Sequence, residues 1–170
     1  MKLIRNFKIT SDEFYDYLEE KLLQDIQQTT GKKVKAKEIK KGFRYDKKDA
    51  YTTITINDYK RHEIYSATVK SRTDFITITY QTKETKEGLQ ITFEEYVDSY
   101  DRVRDKKNII SRTFHDWISF GRMSNTLYGI RNDIVNKKEG ISPVNQKQME
   151  SFKGLRKTLE KKLNEKGQED

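Results

Sequence analysis

The stretch from Asn108 to Val135 constrains the fold more than any other part of the chain. Its apolar residues recur in steps of three or four, which places them on one stripe of a helix; they are Ile110, Phe114, Trp117, Phe120, Met123, Leu127, Ile130 and Ile134. A helix with such a stripe needs a large apolar partner. Gly121 and Gly129 lie inside the stretch and leave open a bend, a close approach to the backbone, or a break into two shorter helices near Gly121.

The partner is predicted upstream, between Tyr51 and Val97, where four successive strands alternate apolar and polar residues. The connections between them are short and polar, as antiparallel hairpins require. The opposite faces carry many threonines, which suit a solvated surface. The apolar face is predicted to consist of Thr52, Ile54, Ile56, Tyr65, Ala67, Val69, Ile76, Ile78, Tyr80, Leu89, Ile91 and Phe93.

A strand and a helix are predicted at the start of the chain. Leu3–Ile9 has a strand pattern, and Thr10 with Glu13 has the spacing of a capping box. Apolar residues then repeat every fourth position until Gly31, which predicts the helix end.

The chain of 170 residues is long enough for one domain with a real core. We predict a domain over residues 1–138 and a helical extension over residues 139–170. In the extension, Met149–Leu163 has an apolar stripe flanked by lysines. Such a helix docks on the domain, forms a homodimer with a second copy, or lies on an anionic membrane; docking or pairing is favoured.

The order of these elements resembles the START-like helix-grip fold of the birch-pollen-allergen and polyketide-cyclase families. That resemblance implies an α+β fold in which an antiparallel curved sheet grips a long C-terminal helix, here followed by an extra C-terminal helix. Three segments are also similar to the bacterial family called domain of unknown function 3284: Asp25–Lys32, Gly42–Tyr45 and Thr92–Tyr96. This second resemblance covers about Met1–Val135 and implies no catalytic residues.

Composition excludes several kinds of chemistry. The absence of Cys removes disulfides, thiolate metal sites and Cys nucleophiles. No phosphate loop, nucleophile elbow or His-Glu metal spacing occurs, and Asp98, Asp101 and Asp105 are interleaved with basic residues. We therefore predict no cofactor and no metal. No apolar run approaches a membrane span and Met1–Lys8 lacks the apolar core of a signal peptide, so the predicted location is cytoplasmic.

The sequence favours a protein that is not an enzyme, without settling the question. His62 falls in a hairpin connection, and His115 adjoins the apolar stripe. Glu94 and Glu95 are neighbours on one strand and point to opposite faces, so they do not form an acid and base pair. Regular alternation turns Glu95 inward, where it needs an Arg, a Tyr or a ligand group. The alternative, a bulge or a strand that has already reached solvent, is favoured.

The helix-grip resemblance leads to a binding hypothesis. A space between sheet and long helix would suit a lipid-like or aromatic apolar ligand, because apolar walls with a few phenol hydroxyls match such molecules. The same residues also suit a closed core. The candidate ligand-binding residues are Tyr65, Val69, Ile76, Ile78, Tyr80, Phe93, Phe114, Trp117 and Phe120.

Nucleic-acid binding is the competing hypothesis. The net charge is +8, and Lys32–Lys48 holds nine Lys or Arg residues against Glu38 and Asp46. Exposed Tyr51 and Tyr59 would be able to stack on bases. No known DNA- or RNA-binding motif accompanies this charge.

Overall fold

The computed structural model describes residues 1–47, 51–99 and 109–140. In residues 109–118 only the backbone and Asp116 are described. Within this part of the chain, no helix is long and apolar enough to cross a membrane.

The centre of the fold is a six-stranded antiparallel sheet. Its strands are β1 (Lys2–Phe7), β2 (Arg44–Asp46), β3 (Thr53–Lys60), β4 (Ile64–Lys70), β5 (Phe75–Thr85) and β6 (Gly88–Val97). Their order is β1-β6-β5-β4-β3-β2, so successive strands from β2 to β6 are neighbours and β1 pairs with β6. The prediction of an α+β fold with an antiparallel sheet is confirmed.

Helix α1 (Ser11–Thr30) begins and ends where the sequence predicts. The Glu13 backbone N–H donates to Thr10 Oγ1 at 3.2 Å, and the Thr10 N–H donates to Glu13 Oε2 at 2.9 Å. These two bonds form the capping box and satisfy N–H groups that the first turn leaves without helical partners. At the other end, Gly31 adopts a left-handed φ of 73° and its N–H donates to the Gln27 carbonyl.

A lysine-rich loop, Lys32–Lys41, connects α1 to β2. One buried side chain and a backbone hydrogen bond just after the loop fix it to the domain. It contains a short 3-10 turn, Ala36–Glu38, and the side chain of Ile39 is buried. Just after the loop, the Gly42 N–H donates to the Ile56 carbonyl at 2.8 Å. The lysine side chains therefore project from an ordered backbone.

Helix α2 (Ile109–Lys138) is continuous through Gly121 and Gly129. A Cβ added at either glycine would meet no atom of the described residues within 4 Å. The alternative of a break near Gly121 is therefore wrong, whereas a bend, or a close approach by something outside the described residues, stays a prediction.

One face of the sheet, the inner face, is covered by both helices. The buried core joins residues of β1 and β3–β6 to Phe14, Tyr15, Leu22 and Ile26 of α1 and to Met123, Leu127, Ile130 and Ile134 of α2. The predicted apolar stripes are confirmed at Phe14, Leu22 and Ile26 of α1 and at the four α2 residues just named, whereas Phe120 of the predicted α2 stripe is exposed.

The opposite face, the outer face, is polar. Hydroxyl pairs bridge neighbouring strands, with Ser66 2.8 Å from Thr79 and Thr68 2.9 Å from Thr77 between oxygens. Such cross-strand pairs stabilise a sheet without an apolar partner. The threonines therefore lie on the face opposite the core, as alternation predicts.

Contacts divide the chain into two units, Met1–Val135 and Asn136–Asp170. Of the second unit, the described residues are 136–140. The predicted helix Met149–Leu163 lies outside the described part of the chain.

Candidate functional site

An aromatic row crosses four strands on the inner face. Tyr59, Tyr65, Tyr80 and Phe93 come from β3, β4, β5 and β6 in turn, and each is the register partner of the next. The ring centroids are 6.2 Å apart for Tyr59 and Tyr65, 6.3 Å for Tyr65 and Tyr80, and 4.7 Å for Tyr80 and Phe93. The last two pairs are stacked, an arrangement that contributes beyond simple burial of area.

A β-bulge decides that Tyr59 belongs to this row. The register shifts between Ile56 and Asp58, which adds one residue to β3. Because one extra residue reverses the faces of all that follow, Tyr59 turns inward and does not alternate outward. The expectation that Tyr59 is an exposed stacking residue is wrong. No local pattern in the sequence marks this bulge.

Helix α1 packs two aromatic side chains against the aromatic row. The Phe14 ring meets the Tyr80 ring edge-on at 5.7 Å, and the Tyr15 ring lies 6.2 Å from that of Tyr59. The Thr82 hydroxyl donates to the His62 carbonyl, so the Tyr15 hydroxyl donates to Thr82 across 3.1 Å. Sequence reasoning missed Tyr15, because it lies one position beside the four-residue repeat.

Three further tyrosines of the interior donate their hydroxyls to carboxylates. Tyr17 donates to Asp133 at 2.9 Å, Tyr45 to Asp25 at 2.5 Å, and Tyr59 to Glu19. Burial and these neighbouring negative charges raise the pKa of all three phenols.

Tyr65 and Tyr80 differ from these tyrosines, because neither hydroxyl has a hydrogen-bond partner among the described residues. Both side chains are deeply buried, with 8% and 5% of their surface exposed. Burial, and next the negative charge of Asp25, raises the pKa of Tyr65 to about 12. Burial also raises the pKa of Tyr80, with smaller effects from Tyr65 and Glu95. Both phenols are therefore neutral donors at physiological pH.

Glu95 faces inward and has a cationic partner. It lies opposite Ile78 in the register, on the face of the aromatic row, and 15% of its side chain is exposed. Its Oε2 accepts a hydrogen bond from Nη2 of Arg122 on α2 at 2.5 Å. The favoured expectation of a bulge or solvent exposure at Glu95 is wrong, and the alternative of an Arg partner is correct.

Beyond the aromatic row, the inner face becomes less well covered. The next inward pairs along β4 and β5 are Ala67 with Ile78 and Val69 with Ile76. Ala67 is buried, whereas Val69, Ile76 and Ile78 remain partly exposed. One end of the inner face thus holds the buried rings of Tyr65, Tyr80 and Phe93, and the other holds an apolar wall of partly exposed side chains.

Seven of the nine candidate ligand-binding residues have side chains in the described part of the chain. Tyr65, Tyr80 and Phe93 are buried in the aromatic row, and Val69, Ile76 and Ile78 form the wall beside it. Phe120 is 41% exposed and lies under the guanidinium of Arg5, 5.3 Å from its ring centroid. The side chains of Phe114 and Trp117 lie outside the described part of the chain. A ligand-binding role for these residues stays a prediction.

The hairpin connection that carries His62 is held to α1 by polar contacts. His62 Nδ1 lies 2.9 Å from the Ser11 hydroxyl, and Arg61 bonds Asp16 at 2.5 Å and Glu19 at 2.9 Å. Ser11 is buried, so this serine and histidine pair does not offer an accessible nucleophile. His62 has a left-handed φ of 71°, a conformation that its side-chain contacts hold in place. We assign this cluster to positioning α1.

Metal ligands are not gathered in the part of the chain that is described. There, no group of three or more His, Asp or Glu side chains is placed to hold an ion. Of the acidic run considered above, Asp101 and Asp105 lie outside the described residues, as does the side chain of His115.

Fold and site together define a small α+β domain whose phenol-rich sheet face is covered by two helices. The chain belongs to the family described as Domain of unknown function (DUF3284), which matches residues 1–116. The resemblance to this family is therefore confirmed. No curated protein matches the chain.

Proposed function

We propose that this chain is a START-like helix-grip protein that binds a small apolar molecule, without catalysis, between the inner face and α2. The strand order supports the architecture, because the first strand pairs with the last and a meander fills the rest of the sheet. The placement of α2 residues in the same core as the inner face supports it further.

One observation carries the proposed function: the partly exposed wall of Val69, Ile76 and Ile78 lies beside the buried rings of Tyr65, Tyr80 and Phe93. Apolar side chains are usually buried as completely as their neighbours allow, because contact with water is unfavourable. A concave, mostly apolar surface with a few polar groups is typical of small-molecule sites. The wall and the adjacent phenols have this composition.

The proposal is tested with freshly purified full-length protein. Denaturing extraction followed by mass spectrometry measures any co-purified small molecule, and titration with the neutral fluorophore N-phenyl-1-naphthylamine measures the free site. We expect Ile78→Phe, which adds bulk to the wall, to reduce both signals at least tenfold. Ile4→Phe is the matched control, because Ile4 is exposed on the outer face. Equal signals in both variants, or no binding in the unaltered protein, would contradict the proposal.

A second candidate function, binding of a single-stranded polynucleotide, is favoured by the lysine-rich loop. Six lysines project from Lys32–Lys41, all exposed, and none forms an ion pair with a described residue. Because the loop backbone is fixed by Ile39 and the bond from Gly42, this charge is presented as an ordered patch. Clustered unpaired lysines on one surface are the electrostatic pattern that binds phosphates.

The salt dependence of binding tests this candidate. Each phosphate contact contributes about 0.7 to the slope of log K against log salt for single strands. A triple change of Lys33, Lys37 and Lys40 to Gln should therefore lower the slope by about 2. The matched control changes Lys8, Lys83 and Lys86, which are exposed elsewhere on the domain. Equal slopes for both triple variants would rule out the loop as the binding surface.

A further inference from the structure

The hydroxyls of Tyr65 and Tyr80 are the least explained polar groups of the domain. Every other interior phenol described above donates to a Thr or a carboxylate, whereas these two have no partner among the described residues. Burying a hydroxyl without a hydrogen bond is unfavourable, so such groups usually bond to a bound water or ligand. Their placement beside the partly exposed wall indicates where that partner lies.

The geometry of the pair allows both hydroxyls to bind one atom. Tyr65 and Tyr80 are directly opposite in the register of β4 and β5, and their rings lie 6.3 Å apart with 30° between their planes. Two O–H···O bonds of about 2.8 Å to one carbonyl oxygen, whose lone pairs are about 120° apart, need hydroxyls about 5 Å apart. The rings are neighbours with centroids 6.3 Å apart, so their hydroxyls can share one acceptor oxygen when the hydroxyl ends of the rings lean toward each other.

The surrounding charges select an uncharged acceptor. The carboxylates whose charge acts on these phenols are Asp25 at Tyr65 and Glu95 at Tyr80. The cations beside them are already paired, Lys47 with Asp25 at 3.2 Å and Arg122 with Glu95 at 2.5 Å. An anionic head group would be repelled by the carboxylates and would find no free cation among these residues.

The position of the wall indicates where the apolar part of the ligand would lie. Along β4 and β5, the inward pairs after Tyr65 and Tyr80 are Ala67 with Ile78 and then Val69 with Ile76. Successive inward pairs are about 7 Å apart, because each advances two residues. The apolar wall therefore begins one inward residue pair away from Tyr65 and Tyr80 and continues along both strands.

We propose that the ligand is an uncharged amphipathic molecule whose carbonyl oxygen, from an ester, amide or ketone, accepts hydrogen bonds from Tyr65 and Tyr80. Its apolar part lies along Val69, Ile76 and Ile78. This inference rests on the proposed function, and it narrows the ligand class from apolar molecules in general to neutral carbonyl-bearing amphiphiles.

The test compares decanamide with decanoate, which share a chain length and differ in charge, together with N-phenyl-1-naphthylamine, which has no oxygen acceptor. Binding to the full chain is measured by calorimetry for the first two and by fluorescence for the third. We expect decanamide to bind at least tenfold more tightly than decanoate. Tyr65→Phe and Tyr80→Phe should each weaken decanamide about tenfold and leave the fluorophore unchanged.

Tyr128→Phe is the matched control, because Tyr128 is 48% exposed on α2. Decanoate binding as tightly as decanamide, or decanamide binding unchanged in both inward Phe variants, would overturn the inference while fluorophore binding still upheld the proposed function. A chain that bound neither decanamide nor the fluorophore would overturn both. Urea unfolding shows that the Phe variants fold, and we expect no loss of stability because no protein hydrogen bond is removed.

Discussion

Glu95 and Arg122 connect β6 to α2, with Oε2 of the carboxylate 2.5 Å from Nη2 of the guanidinium. The two residues differ in their surroundings, because 15% of the Glu95 side chain and 51% of the Arg122 side chain is exposed. Loss of the partner is therefore more unfavourable for the mostly buried carboxylate than for the exposed guanidinium.

Removing only the cation should destabilise the domain. We expect Arg122→Met to lower the free energy of unfolding by about 1–3 kcal/mol, because Glu95 loses its partner within the inner face. The double variant Arg122→Met with Glu95→Gln should recover part of that loss, since no charge is left unpaired. Urea unfolding of Arg122→Met, Glu95→Gln and the double variant completes a double-mutant cycle. Additive changes in the free energy of unfolding would show that the two side chains do not stabilise each other.

Gly88 should not tolerate any side chain. It begins β6 with a φ of 123°, and an added Cβ would lie 2.2 Å from the Phe7 carbonyl oxygen. Because that atom belongs to the backbone of the adjacent β1, it has little room to move. We expect Gly88→Ala to lower the free energy of unfolding by more than about 2 kcal/mol, measured by urea unfolding. Near-normal stability would contradict the close approach of β1.

Gly121 and Gly129 should behave in the opposite way. Both lie inside a continuous helix, and an added Cβ at either would meet no described atom within 4 Å. Ala is favoured over Gly in a helix by about 1 kcal/mol. Gly121→Ala and Gly129→Ala should therefore each raise the thermal midpoint in calorimetry. A lower midpoint for either variant would indicate that something occupies the space beside that glycine.

The raised pKa values of the interior tyrosines predict a loss of stability in alkali. A phenol with a raised pKa keeps its proton in the folded chain after the unfolded chain has lost it. Its contribution to stability is therefore complete below pH 10 and falls as pH rises through the folded pKa, which for Tyr65 is about 12. Tyr65 alone should account for a fall on the order of 2–3 kcal/mol between those values.

Absorbance at 295 nm, which follows tyrosinate, checks this prediction alongside urea unfolding from pH 8 upward. The interior tyrosines, whose pKa values are raised, should ionise only with unfolding. Tyr65→Phe should lessen the fall in stability. A single smooth titration of all tyrosines near pH 10 would be inconsistent with their burial.

The sequence was most informative where a short segment decides its own structure. Thr10 and Glu13 mark the start of α1, and Gly31 its end, because capping depends on residues three or four positions apart. The strands and hairpins were predictable for the same reason, since alternation of apolar and polar residues marks which face is buried. These local rules determined the α+β class and the order of its elements.

The composition of the candidate site depended on contacts between distant segments. The bulge after Ile56 turned Tyr59 inward, and Arg122 reached Glu95 across a separation of 27 residues. The continuity of α2 through its glycines was also decided by packing, because tertiary burial of its apolar stripe outweighs their low helix propensity.

The sequence by itself therefore determined which elements form and which of their faces are apolar, because capping and alternation act within a few residues. Only the tertiary structure decided which interior polar groups are paired. Tyr17, Tyr45 and Tyr59 find carboxylates on other elements, whereas Tyr65 and Tyr80 find no partner among the described residues. That difference follows from where α1 and α2 cross the sheet, and the positions of whole helices are set by the sum of many long-range contacts.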